Sequence, residues 1–235
     1  MRVLVTRPEP ASARTAAELE RRGHEPVLMP LMRATHHVDC LAFPPLPETA
    51  ALAVTSAEAV RALQVAPEVA RQHLLAMPVY AVGRATARAA REAGFGDIKV
   101  ADGDGLSLAG LLMAQTERSI LYLTGTPRSP DFEAALAHAG RMVDTRECYH
   151  MSPIAYEDAD IARRLTPMPD AILVYSSETA RHLTELYERT RRTLDWSRTR
   201  FLCLSEKIAS ALPEEFQHRS SWSMEPREDL LLLLL

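Results

Sequence analysis

The chain has 235 residues, 47% of them hydrophobic and 25% charged, which suits one large or two small globular domains rather than a disordered or fibrous protein. A formal net charge of −4 argues against a basic stripe of the kind that holds nucleic acid, although local amides and arginines can still bind an anion. Three cysteines, Cys40, Cys148 and Cys203, form no Cys-x-x-Cys pair, so a disulfide framework is not expected and a reducing, cytoplasmic setting fits.

The chain starts directly as a strand, Arg2 to Thr6, with no signal-peptide pattern. Arg7-Pro8-Glu9-Pro10 breaks it. Ala13, Ala16, Ala17 and Leu19 predict a helix from Ser12 to Arg22, stopped by Gly23. Pro26 to Leu31 is the next strand, completing a β-α-β unit with parallel strands. From Arg33 to Glu48, His36, His37, Asp39, Pro44, Pro45 and Pro47 show no apolar period and read as linker and loop. His36, His37 and Cys40 lack further partners at ligand spacing, so no metal site is expected there.

Ala51 to Val54 reads as a short buried strand, followed by Thr55-Ser56 and a helix through Leu63 that either hydroxyl can cap. Val69 to Leu75 is a short helix. Pro78 to Gly83 is a strand, then Arg84-Ala85-Thr86 leads to a helix from Ala87 to Ala93 ended by Gly94. Ile98 to Val100 is a strand, Asp102-Gly103-Asp104-Gly105 a turn, and Ser107 the cap of a helix through Leu112. Ser119 to Thr124 is a strand, and Gly125 to Pro130 breaks it. Asp131 to Ala139 is a helix stopped by Gly140, and Met142 to Tyr149 is a strand running towards Pro153.

A polar helix is expected around Tyr156 to Leu165. Ala171 to Leu183 then repeats the earlier order of strand, hydroxyl pair, acid and helix, now with Ser176-Ser177. Trp196 opens a surface segment. Arg200 to Leu204 is a strand, Ser205-Glu206-Lys207 leads into the helix Ile208 to Leu212, and Glu228 to Leu235 is a closing helix whose leucines are buried; that run is too short to cross a bilayer.

Three kinds of unit therefore appear twice. Their order implies two similar parallel-sheet α/β domains with flavodoxin-like units. The first is discontinuous, 1–33 with 168–235, and the second, 48–148, is inserted. The chain crosses between them in the connections 34–47 and 149–167, and the two extended crossings, near Met32 to Cys40 and near Tyr149 to Ala155, are expected to pair as a small two-stranded antiparallel hinge that lets the domains close around a cleft.

No Walker loop, G-x-G-x-x-G, G-x-S-x-G or metal motif is present. Ligands of open parallel sheets bind beyond the carboxyl ends of the strands. That places Thr6, Arg7, Thr55, Ser56, Gly83, Arg84, Thr86, Thr124, Gly125, Ser176, Ser177, Ser205 and Lys207 on the expected rim. Hydroxyls, amides and a few cations suit a ligand bearing several carboxylates or phosphates. Helix capping accounts for Ser56, Ser176 and Thr86 as well as ligand contact does. Arg7 and Arg84 are read as ligand-facing, with solvated surface as the alternative. Tyr149 ends a strand beside the expected hinge, where tyrosines commonly pack, and Tyr80 and Tyr122 belong to the core.

Taken together, Val3-Leu4-Val5-Thr6-Arg7-Pro8, Val54-Thr55-Ser56-Ala57-Glu58-Ala59-Val60, Tyr80 to Ala87, Cys148-Tyr149 before Pro153, and Leu173-Val174-Tyr175-Ser176-Ser177 resemble the uroporphyrinogen-III synthase family over nearly the whole chain. The resemblance implies a cofactor-free, monomeric, cytoplasmic enzyme without membrane or nucleic-acid partners. Such an enzyme cyclises hydroxymethylbilane, a linear tetrapyrrole with eight carboxylates, inverting the last ring and releasing water, and can meet the preceding pathway enzyme transiently. It also implies that Tyr149 helps the hydroxyl leave and that Thr55, Ser56, Gly83, Thr86, Ser176 and Ser177 line the cleft. One stretch departs from the family pattern of a glycine and threonines: Ser205-Glu206-Lys207-Ile208, where Ile208 has no hydroxyl and Lys207 is either a carboxylate contact or surface. The alternative is a non-enzymatic, anion-binding or regulatory homologue of the same fold.

Overall fold

The computed structural model describes residues 1–42, 49–101, 103–115 and 119–235. The proline cluster and Asp102, read above as loop and turn, lie outside the described residues.

The chain opens with β1 (Arg2–Val5), α1 (Ala11–Arg21), β2 (Glu25–Leu28) and β3 (Met32–His36). Gly23, at φ +78°, turns the chain after α1 in a conformation a side chain would strain. There follow β4 (Thr49–Val54), α2 (Ala57–Gln64), α3 (Glu68–Leu75), β5 (Val79–Val82), α4 (Gly83–Ala93) and β6 (Ile98–Ala101). Next come α5 (Gly105–Gln115), β7 (Ser119–Thr126), α6 (Asp131–His138) and β8 (Val143–Pro153). The chain ends with α7 (Asp158–Leu165), β9 (Ala171–Val174), α8 (Ser177–Thr190), β10 (Arg200–Cys203), α9 (Glu206–Ala209), α10 (Glu214–Gln217), β11 (Ser220–Trp222) and α11 (Glu228–Leu231).

Two compact units result: Met1–Arg33 with Ser152–Leu235, and Ala34–Met151. The first carries a five-stranded sheet in the order β11-β10-β9-β1-β2, all pairs parallel. Its central strands are unbroken apolar runs because both faces are covered. Leu4, Ile172, Val174 and Phe201 point to one face and pack with Leu183, Trp196 and Phe216. Val3, Val5, Leu173 and Leu202 point to the other and meet Leu19, Leu231 and Leu232. This is the period-two alternation of a strand.

The second unit is built on the sheet β3-β8-β7-β4-β5-β6, parallel from β8 to β6. Leu52, Val54, Ala81, Leu121 and Leu123 pack with Val60, Leu63, Ala87 and Ala90 of α2 and α4. Ala51, Ala53, Tyr80 and Tyr122 pack with Leu108, Leu112, Phe132 and Leu136 of α5 and α6. Tyr80 and Tyr122 are indeed core residues.

The structure corrects the sequence reading in several places. His36, read as linker, lies in β3, a strand of polar alternation at the sheet edge. Residues 149–153 continue β8, and α7 buries Ile161 and Leu165 in the first unit's core, so that stretch is more than a connection. Trp196 does not open a surface segment: it is 4% exposed, with the Tyr187 ring edge-on at 5.5 Å. Asp104, not Ser107, caps α5, its carboxylate accepting from the Ser107 amide at 3.1 Å. The closing helix is a single turn followed by a 3-10 turn, Leu232–Leu234.

Candidate functional site

In the inserted unit the site begins where β7 and β8 end. Gly125 is the register partner of Tyr149, just past an irregularity between Thr124 and Gly125 that re-aims the side chains. A Cβ on Gly125 would overlap the Tyr149 ring, so the missing side chain is what lets the ring lie across β7. Tyr149 is 8% exposed. Burial pushes its phenol up to about 12, against the neighbouring Ser56 hydroxyl, which favours the ionised form. At neutral pH the phenol keeps its proton and can donate it.

Ser56 sits at the N-cap of α2 and accepts from the Glu58 amide at 3.1 Å. Glu58, 7% exposed, is held by Arg61 Nε at 2.8 Å and lies 2.7 Å from His36 Nε2. This cluster was not foreseen. The i, i+3 spacing of Glu58 and Arg61 was a visible signal; the meeting with His36 needed β3 to reach the sheet.

Thr55 and Thr124 have a different job. Thr55 Oγ1 lies 2.9 Å from the Tyr122 hydroxyl, and Thr124 Oγ1 donates to that hydroxyl at 3.0 Å. Both satisfy a buried tyrosine, and Thr124, 1% exposed, presents no hydroxyl to a ligand. Gly83, at φ +73°, is the first residue of α4. Thr86 is buried within that helix rather than capping it, and Arg84 is exposed with no ion-pair partner among the described residues.

In the first unit, Thr6 is fully buried and donates to the Leu173 carbonyl at 2.6 Å, so it ties β1 to β9 rather than meeting a ligand. Arg7 pairs with Glu228 at 2.8 Å, its guanidinium 4.2 Å from the Tyr175 ring centroid. Ser176 caps α8, accepting from the Thr179 amide at 3.1 Å, and Ser177 is half-buried in the first turn. Ser205 takes the N-cap position of α9 without a side-chain bond to the helix, and Lys207 is exposed. Ile208 packs into the core beside Phe216, so the departure noted above is a packing residue. Two cavities of the first unit, about 450 Å³ beside Trp196 and about 250 Å³ beside Tyr156, hold none of these residues. Among the described residues no cluster is able to hold a metal, and no helix is long and apolar enough to cross a membrane.

The family model for uroporphyrinogen-III synthase HemD matches residues 13–232. The chain belongs to the uroporphyrinogen-III synthase family. Its activity is therefore that of a cyclising hydro-lyase of tetrapyrrole biosynthesis acting on a small-molecule substrate. Among solved structures, the chain is similar to uroporphyrinogen-III synthetase from Helicobacter pylori, with a TM-score of 0.65 and 18% identity over 100% of this chain and 98% of that one. It is also similar to a mutant uroporphyrinogen III synthase from the extremely thermophilic bacterium Thermus thermophilus, with a TM-score of 0.56 and 25% identity over 92% and 89%. The first likeness is one of fold. A search of curated sequences finds no match.

Proposed function

We propose that this chain closes hydroxymethylbilane to uroporphyrinogen III, with Tyr149 as the group that helps the hydroxyl depart. The carrying observation is the buried Tyr149 phenol laid across Gly125, where a Cβ would collide with the ring. The Tyr149 proton passes to the leaving oxygen as the C–O bond breaks, so water departs and an azafulvene cation remains. The cation is reactive enough to need orientation more than force. It is attacked by the substituted carbon of the last ring, and rearrangement through a spiro intermediate inverts that ring. The proton lost on rearomatisation returns to the phenolate, which restores Tyr149. Ser56, the amides at the start of α2, α4 and α8, and Arg84 are suited to hold substrate carboxylates; Ser177, Ser205 and Lys207 are further contacts in this reading. The reading includes a monomer at work in the cytoplasm, meeting the preceding pathway enzyme only in passing.

The test uses freshly made hydroxymethylbilane. The wild type is expected to give the type III isomer, and Tyr149→Phe to lower kcat by roughly 100-fold or more, the scale of a lost acid catalyst, with the melting temperature held. Only the spontaneous type I isomer from wild type would leave a non-enzymatic binder; an unchanged rate in the variant would remove Tyr149 from the mechanism.

A further inference from the structure

The rim of the first unit contains a carboxylate site that the chain fills with its own side chain. Val5 and Leu173 are register partners in the parallel pair β1/β9, so Arg7 and Tyr175 leave the sheet at corresponding positions beyond the strand ends. Three donors converge there on one oxygen, Oε1 of Glu228: Arg7 Nη1 at 2.8 Å, the Tyr175 hydroxyl at 3.0 Å, and the Thr15 hydroxyl. The guanidinium is seated on the Tyr175 ring, a stacking that presets its plane.

Glu228 uses this site incompletely. It takes a single nitrogen of Arg7, whereas a carboxylate free to orient itself can engage a guanidinium through two parallel bonds. Its side chain is 35% exposed and that of Arg7 is 21% exposed, so water reaches the pair. Thr15 has a second acceptor ready, the Ala11 carbonyl at 3.1 Å, and is not orphaned if Glu228 leaves. Glu228 itself begins a single helical turn whose anchor is Leu231 and Leu232 in the core, so its side chain can swing out while the turn stays.

We propose that Arg7, Thr15 and Tyr175 form a carboxylate-binding site of the first unit, and that Glu228 is a built-in stand-in displaced by a carboxylate-bearing side chain of the substrate. The ligand class is an alkyl carboxylate, and the proposal rests on the reading that these strand ends meet a polycarboxylate substrate.

Two measurements test it. In Glu228→Ala the site is vacated, and sodium acetate should raise the melting temperature above its value in equal sodium chloride, while the wild type responds alike to both salts. In Glu228→Gln, which keeps the side chain's shape and loses its charge, KM for hydroxymethylbilane should fall roughly three- to tenfold, the scale of a weakened charge-assisted competitor, with kcat held. An equal response of the alanine variant to acetate and chloride, or an unchanged or raised KM in the glutamine variant, overturns the proposal. If the alanine variant does not fold, the glutamine variant decides. If the wild type makes no type III isomer, the functional reading has failed instead, and the acetate comparison still decides the site.

Discussion

Tyr149 and Gly125 form a pair in which one residue's bulk depends on the other's absence of a side chain. Gly125→Ala would drive a methyl group into the phenol ring. The expected result is a stability loss of about 1–3 kcal/mol, the usual scale of overpacking, together with a fall in turnover as the ring is displaced from its seat on β7; denaturant unfolding and a turnover assay check both. Glu228 carries a second prediction. Burial opposes its ionisation, but Arg7 and the hydroxyls of Thr15 and Tyr175 outweigh that and hold the carboxyl below its ordinary value of 4.5. The unfolded chain therefore takes up this proton at higher pH than the folded one. The pair's contribution to stability is complete above the unfolded value and disappears as pH falls through the folded one. Acid unfolding of Glu228→Gln should accordingly lack part of the wild type's drop below pH 4.5. In the sequence, Tyr149 stood out only through resemblance, because a tyrosine at a strand end is ordinarily a packing residue. Gly125 was placed on the rim, but its steric part was invisible without the register of β7 and β8.

Among the elements, the two matched stretches behave alike. Ser56 and Ser176 each accept a backbone amide at the start of their helix. Ser205 occupies the same kind of position without doing so. Ser56→Ala and Ser176→Ala should each cost about 0.5–2 kcal/mol, and Ser205→Ala should change stability by less than about 0.5 kcal/mol, measured by chemical denaturation. Helices with a clear apolar stripe and a glycine stop, such as α1 and α4, were legible from spacing alone, to within a few residues at each end. The strand β11 was not. An edge strand of three mixed residues carries too little periodic signal and depends on a neighbouring strand for its hydrogen bonds.

At the scale of the whole molecule, each unit has its own sheet and its own pair of apolar layers. Calorimetry should resolve two unfolding transitions. Leu121→Ala, in the inserted unit, and Leu202→Ala, in the discontinuous one, remove fully buried side chains. Each should destabilise by about 2–5 kcal/mol and lower a different one of the two transitions; a shared shift would show that the units unfold as one.

The alternation of strands and helices, the duplicated pattern and the placing of hydroxyls at strand ends were determined by the sequence itself. Apolar period, caps and stops act between residues a few positions apart. Which way those hydroxyls face was decided only by tertiary structure. Thr6 and Thr124 turn to the core, where they donate to the Leu173 carbonyl and the Tyr122 hydroxyl. Arg7 meets a carboxylate 221 residues away because parallel crossovers and the C-terminal turn bring them together. Partners of that kind depend on strand register and on the path of the whole chain, and local spacing holds no record of either.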